Sequence, residues 1–288
     1  MRQLRTCDTA QFNTGVTKCE IDFAKIRGAI IVPYNTKLPK ELTAEKLETL
    51  AHAEPLQRVY GIDRFVEYAK NGGEAQTAAN GYGPEEFTGF SARKDTFTRQ
   101  KFSPELHASI TGHAHIPCGV YFFDENKVLY GLNDGTEELA PFPMSTVYSD
   151  ATPHPTSSAK STMSITFAYE DAMEAVVGFD FIKLDFDPRK LTLGLTKVYL
   201  KRVSNKIGVT GNVYKLYEAV GGLDVTSIYG PLIVTAGETV LDGKVTAVTY
   251  DDANETLIIA ADDNDTPNLK SPAVLYENGI KGIEAVKV

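Results

Sequence analysis

The stretch Cys118–Leu132, CGVYFFDENKVLYGL, decides the fold class. Val120, Tyr121, Phe122 and Phe123 make one aromatic, β-branched arm, and Lys127, Val128, Leu129 and Tyr130 make a second. Asp124-Glu125-Asn126 joins them. Two such arms around an Asp/Asn turn predict a β-hairpin, held by cross-strand aromatic and β-branched pairs.

Working outward, most of the chain repeats this character. Ile21, Phe23 and Ile26 lead into Ala29-Ile30-Ile31-Val32, a strand stopped at Pro33. Thr43 is placed to cap a short helix over 44–53, with Leu47, Leu50 and Ala51 on one stripe and Pro55 beyond its end. A strand reads over 57–66. Residues 69–95 are Gly-rich and lack apolar periodicity, which predicts a long loop or an extended hairpin arm outside the core. Ser103-Pro104-Glu105 opens the clearest helix, which ends near Gly112. Residues 133–160, rich in Pro, Ser, Thr and Asp, read as a surface excursion. Strands follow at 161–169, with Met163, Ile165 and Phe167 on one face, at 179–188 and at 195–203.

Ser204-Asn205-Lys206 reads as a boundary between domains at 1–205 and 206–288. Beyond it, short apolar runs at 211–218, 232–236, 244–250, 256–261, 273–276 and 283–288 are separated by turn signals. Val245–Tyr250 and Thr256–Ile259 form a second hairpin pattern. Evenly spaced short strands of this kind suggest a small immunoglobulin-like β-sandwich. The fold class is therefore mainly β, with two short helices.

Hydrophobic residues make up 42% of the 288-residue chain and charged residues 23%, enough apolar material for a packed core. The net charge of −9 argues against a binder that neutralises phosphates, but suits a surface that DNA passes without sticking. Cys7, Cys19 and Cys118 give no disulfide framework, and no signal-peptide or membrane-spanning pattern is read, so synthesis in a reducing cytoplasm is expected.

Candidate chemistry is sparse. His113-x-His115 on a strand would present both imidazoles on one face, with Cys118 and His107 near in sequence, but the spacing matches no standard zinc pattern. A solvated or interface turn is the preferred reading. Asp262-Asp263-Asn264-Asp265 lacks the glycine and distal glutamate of a calcium loop and reads as a polar turn. Asp185 and Asp187 read as the wet face of a strand, or a charged face lining a cavity, before an acid–base pair. Gly81-Tyr82-Gly83 precedes Pro-Glu-Glu, which would repel a phosphate. No catalytic set is found, and no cofactor is expected.

Several pieces, in order, resemble the tail-tube (major tail) proteins of long-tailed bacteriophages that end in an immunoglobulin-like domain. They are Cys19–Gly28 leading to Pro33, Arg58-Val59-Tyr60-Gly61-Ile62, the Gly-rich arm, the helix 104–110, the Asp124 hairpin, and Gly221-Gly222-Leu223-Asp224-Val225. The resemblance implies a non-enzymatic virion protein, made in the host bacterial cytoplasm. It implies a β-sandwich whose inner strands join between copies into a barrel around a lumen, and rings that stack through long arms. Gly72, Gly73, Tyr82, Phe87 and Phe90 would then make subunit contacts. The implied partners are further copies of the chain, other tail proteins, and DNA passing without specific binding; no membrane is involved. A head-decoration, neck or baseplate protein, or a bacterial adhesion or carbohydrate-binding module, are the alternatives.

Overall fold

The computed structural model describes residues 23–79, 81–151, 155, 160–205, 211–261 and 266–286. Cys7, Cys19, Ile21, Lys206 and the Asp262–Asp265 turn lie outside them. The protein is mainly β, with curled antiparallel sheets of a sandwich- or barrel-like kind. It divides into two compact units. One comprises residues 1–47 and 59–192, and the other 48–58 and 193–288.

The first unit is built on an eleven-stranded sheet. The hairpin read from sequence is its hub, with strands Cys118–Asp124 and Val128–Asn133. Asp124 shapes the turn: its Oδ1 accepts the Asn126 and Val128 amides, both at 2.8 Å, and its Oδ2 accepts the Tyr130 hydroxyl at 2.7 Å. Strand Cys118–Asp124 is buried nearly throughout because it has three strand partners. Ile26–Pro33 runs along one whole edge. The other edge is shared: Cys118–Val120 pairs with Phe142–Met144, while Phe122 and Phe123 pair with Tyr130 and Leu129. The sheet therefore branches here. One branch continues through Phe142–Ser149, Met163–Tyr169 and Lys94–Arg99 to Phe65–Asn71, and the other passes through Val128–Asn133 to Phe179–Lys183.

The two branches enclose an aromatic core. The Phe97, Phe122 and Phe167 rings lie 5.3–5.9 Å apart, with Phe65 and Phe142 around them, in the offset and edge-on geometries that aromatic quadrupoles favour. The helix Pro104–Gly112 starts as its sequence demands: Ser103 Oγ accepts the Leu106 amide, and Pro104 fills the first turn.

Three expectations for this unit need correction. The strand read over 57–66 is two strands, Tyr60–Asp63 and Phe65–Asn71, because Arg64 adopts a left-handed φ of 67°. The surface excursion at 133–160 contains a core strand, Phe142–Ser149, that buries Phe142, Met144 and Val147. A bulge between Met144 and Thr146 shifts the alternation, and Pro143 disguises the rest. The strand expected over 179–188 ends at Lys183; Asp187 instead caps the short helix Pro188–Leu191.

In the second unit, Asn212–Glu218, Val245–Asp251 and Thr256–Ala261 are strands as expected, the last two a hairpin. Thr196–Asn205, read from sequence as closing the first domain, belongs here and lies between Asn212–Glu218 and Ile283–Ala285 in a five-stranded sheet. Two segments expected to be immunoglobulin-like strands are helical. Residues 232–236 end the helix Thr226–Ala236, and 273–276 lie in Pro272–Glu277. These helices, with a two-stranded sheet of Leu241–Asp242 and Asn268–Leu269, supply the rest of this unit's core. Val225, Ile233 and Leu275 enter one core with Tyr214, Leu216, Leu257 and Ile259.

Residues 48–58 complete this unit. Arg58 makes a bidentate pair with Glu284 at 3.0 and 3.1 Å. Glu48 accepts from Lys281 at 2.8 Å and from the Tyr276 hydroxyl at 3.1 Å, and the charge and hydroxyl donors hold its carboxyl below the usual range. His52 stacks on Tyr276 with 4.5 Å between ring centres, and its Nε2 accepts the Gly282 amide.

Asp180 carries a pH-dependent burden in the first unit. It shares the buried face of its strand with Ile182 and is fully buried. Its Oδ1 accepts the Phe181 amide at 2.8 Å, and among the described residues its Oδ2 has no hydrogen-bond partner. Burial raises its pKa, against the opposing pull of that amide and of Lys40. The neutral form is favoured in the fold, so wild-type stability falls as pH rises through the folded value. Asp180→Asn, which cannot ionise, is expected to be more stable than the wild type at pH 7. Chemical denaturation at pH 7 and pH 4 checks this, with the gap closing at the lower pH.

Candidate functional site

Residues 69–95 form the extended-arm alternative of the sequence reading. Strand Phe65–Asn71 pairs with Lys94–Arg99, and beyond them Ala75–Ala79 pairs with Glu85–Phe90 as a separate two-stranded hairpin. Gly72 and Gly73 lie at its base, with φ of 74° and 71°. A Cβ on Gly72 would sit 1.9 Å from the Ala92 carbonyl oxygen, so a side chain there is excluded by space as well as conformation. Tyr82 stands fully exposed at the tip, and Phe87 is 51% exposed. The Phe87 and Phe90 rings touch edge-on, 5.3 Å between centres. These three aromatics share the arm, and none of them enters either core. An isolated two-stranded hairpin is at best marginally stable in water.

The arm grows from a border of the sheet. Among the described residues, Phe65–Asn71 pairs with one strand only, and Phe179–Lys183 at the other branch end also pairs with one. Both borders carry exposed apolar groups. Val66 and Tyr68 stand on the first, and Met173, Val176 and Val177 stand just before the second. Unpaired strand edges are templates for another chain, and exposed apolar patches beside them mark interaction surfaces.

Between the borders lies a cleft of about 450 Å³. Its lining includes Phe65, Val66 and Tyr68 from one border, Phe179 from the other, and Phe97, Phe122 and Phe142 from the core. One wall is polar. Asp95, almost fully buried, accepts from Tyr169 and Arg93 at 2.8 Å on Oδ2, and from Tyr68 at 3.1 Å and Arg93 at 3.3 Å on Oδ1. The Arg93 guanidinium also lies 4.6 Å over the Tyr169 ring. Burial first, then the Asp95 charge, pushes both tyrosine pKa values up, which keeps the phenols protonated as donors. With both carboxylate oxygens occupied, Asp95 fixes the wall of the cleft in place.

Sequence reading missed this cluster. Its one local signal was the alternation Asp95-Thr96-Phe97, which puts an acid on the face of a core aromatic.

The histidine constellation is not brought together. His113 and His115 lie in the turn after the helix instead of on a strand, and His113 Nδ1 contacts the Ser109 carbonyl at 2.7 Å. His107 Nδ1 contacts Ser149 Oγ at 3.1 Å. Cys118 is half-buried in the hub strand, and burial pushes its thiol up to about 11, away from the thiolate a metal needs. Among the described residues, no group of three His, Cys, Asp or Glu is placed to hold a metal ion. Asp187 accepts the Arg189 amide and pairs with its guanidinium at 2.7 Å, which lowers its pKa. It is a helix cap with an ion pair, in place of the strand-face acid considered from sequence.

No helix among the described residues is long and apolar enough to cross a membrane. No family model and no curated protein sequence matches this chain.

Proposed function

We propose that the protein is a self-assembling structural subunit whose copies join at their sheet borders into rings and stack through the arm into a tube. One observation carries this reading: among the described residues, a long hairpin that enters neither core grows from one of two single-partnered strands with exposed apolar side chains on or beside them. Copies joined border to border convert two edge liabilities into one continuous ladder. An arm that contacts a different surface of the next copy is a heterologous contact, and such contacts propagate into open filaments. The resemblance to bacteriophage tail-tube proteins supplies the setting, a virion tail with other tail proteins at its ends. The net charge of −9 suits a lumen along which DNA slides without binding.

Negative-stain electron microscopy of the purified full-length protein tests this. Rings or stacked tubes are the expected result. A strictly monomeric protein at high concentration contradicts it.

A further inference from the structure

We infer that the second unit pairs with the second unit of another copy through strand Val245–Asp251, the two strands lying antiparallel about a two-fold axis at Val248. This contact is separate from the borders of the first unit and does not depend on them.

The strand is a free border of the five-stranded sheet. Among the described residues it pairs with Thr256–Ala261 and with no second strand. Proteins protect such edges with charges, prolines or covering elements. Val245-Thr246-Ala247-Val248-Thr249-Tyr250 holds no charge and no proline, and its β-branched and aromatic content is what strands favour. Thr246, Ala247 and Thr249 are exposed. A bulge disturbs the end between Val245 and Ala247, while Ala247–Asp251 stays in regular register with its neighbour. The helix packed near the strand adds no charge either. Thr226–Ala236 has none, a Cβ on its Gly230 would sit 2.8 Å from the Tyr250 ring, and its Ile228 and Leu232, one turn apart, are exposed. In a chain of net charge −9, this border lets two copies meet without opposing like charges.

The order of residues makes the strand its own complement. Antiparallel pairing about Val248 sets that β-branched side chain against its own copy and Ala247 against Thr249, with no like charges opposed. Lys244, just before the strand, then comes beside Asp251 and Asp252 at the other copy's far end, and the two-fold repeats this at both ends. In-register parallel pairing would instead set Lys244 against Lys244 and each aspartate against its like, which is destabilising. The charges that flank the strand therefore fix the antiparallel direction. Such a contact is isologous and closes at two copies, joining two five-stranded sheets into one.

The test uses two variants of the full chain, Ala247→Cys and Thr249→Cys, both at exposed positions. They are mixed, oxidised mildly, and their disulfides are mapped by mass spectrometry. Each variant carries one of the new cysteines, so a 247–249 link joins two molecules. Opposed Cβ atoms in an antiparallel pair stand about 4.5–5.5 Å apart, closer than diagonal ones. The expected product is therefore the 247–249 link, well in excess of 247–247 and 249–249. Predominant 247–247 and 249–249 links would mean parallel pairing and overturn the inference, as would all three links in random proportion. Rings or tubes without any link at these positions would also overturn it and leave the assembly reading standing. The 247–249 link from protein that forms no rings would uphold it and count against the assembly reading alone.

Discussion

Deleting residues 74–91 is expected to abolish stacking of rings completely while leaving the folded chain intact. The cut joins Gly73 to Ala92, just beyond the Asn71–Lys94 pair that ends the sheet ladder. Gly72 and Gly73 already hold the left-handed conformations that a tight return needs. The removed residues contribute nothing to either core, and shortening a surface loop changes closure entropy only slightly. Circular dichroism should give an unchanged fold, and electron microscopy should give single rings in place of tubes. Tubes of normal length from the deletion variant would exclude the arm from stacking.

The second large effect is on stability. Phe167 is fully buried in strand Met163–Tyr169, which has neighbours on both edges. Its ring lies 5.3 Å from Phe122, 5.9 Å from Phe97 and 6.3 Å from Phe65. Phe167→Ala removes a partner from each of these contacts and opens a void inside a sheet that has little room to collapse. The expected loss is about 3–5 kcal/mol, measured by urea denaturation of the first unit. A loss below about 1 kcal/mol would mean that the aromatic cluster does not hold this unit together.

What was legible in the sequence was local. The Cys118–Leu132 hairpin shows its arms and its Asp/Asn turn within fifteen residues, and Ser103-Pro104 shows the start of a helix directly. The arm was legible as a departure from periodicity, and its aromatics as residues with no core pattern to join. Elsewhere tertiary context overrode the local signal. Thr226–Ala236 contains Gly230, Pro231 and several β-branched residues, a poor helix by propensity. Yet Thr226, Gly230 and Ile233 are the positions it buries, a helical spacing hidden by how few of them are apolar. Ser271-Pro272 opens a helix with the same pair as Ser103-Pro104, but the run behind it is as short as a strand. The Phe142–Ser149 strand was hidden by one bulge. The Asp95 cluster gathers side chains from three strands, and the Arg58–Glu284 pair joins residues 226 positions apart. No reading of neighbours along the chain could have assembled either.

The unpaired borders are also a tertiary property, since a border exists only once the order of strands is known. Their fate is open to direct measurement by hydrogen–deuterium exchange on dispersed and assembled protein. On assembly, the amides of Phe65–Asn71 and Phe179–Lys183 are expected to slow markedly, as strands gaining ladder partners do, while the already paired Met163–Tyr169 changes little. Border amides that exchange equally fast in both states would contradict completion of the sheet by neighbouring copies.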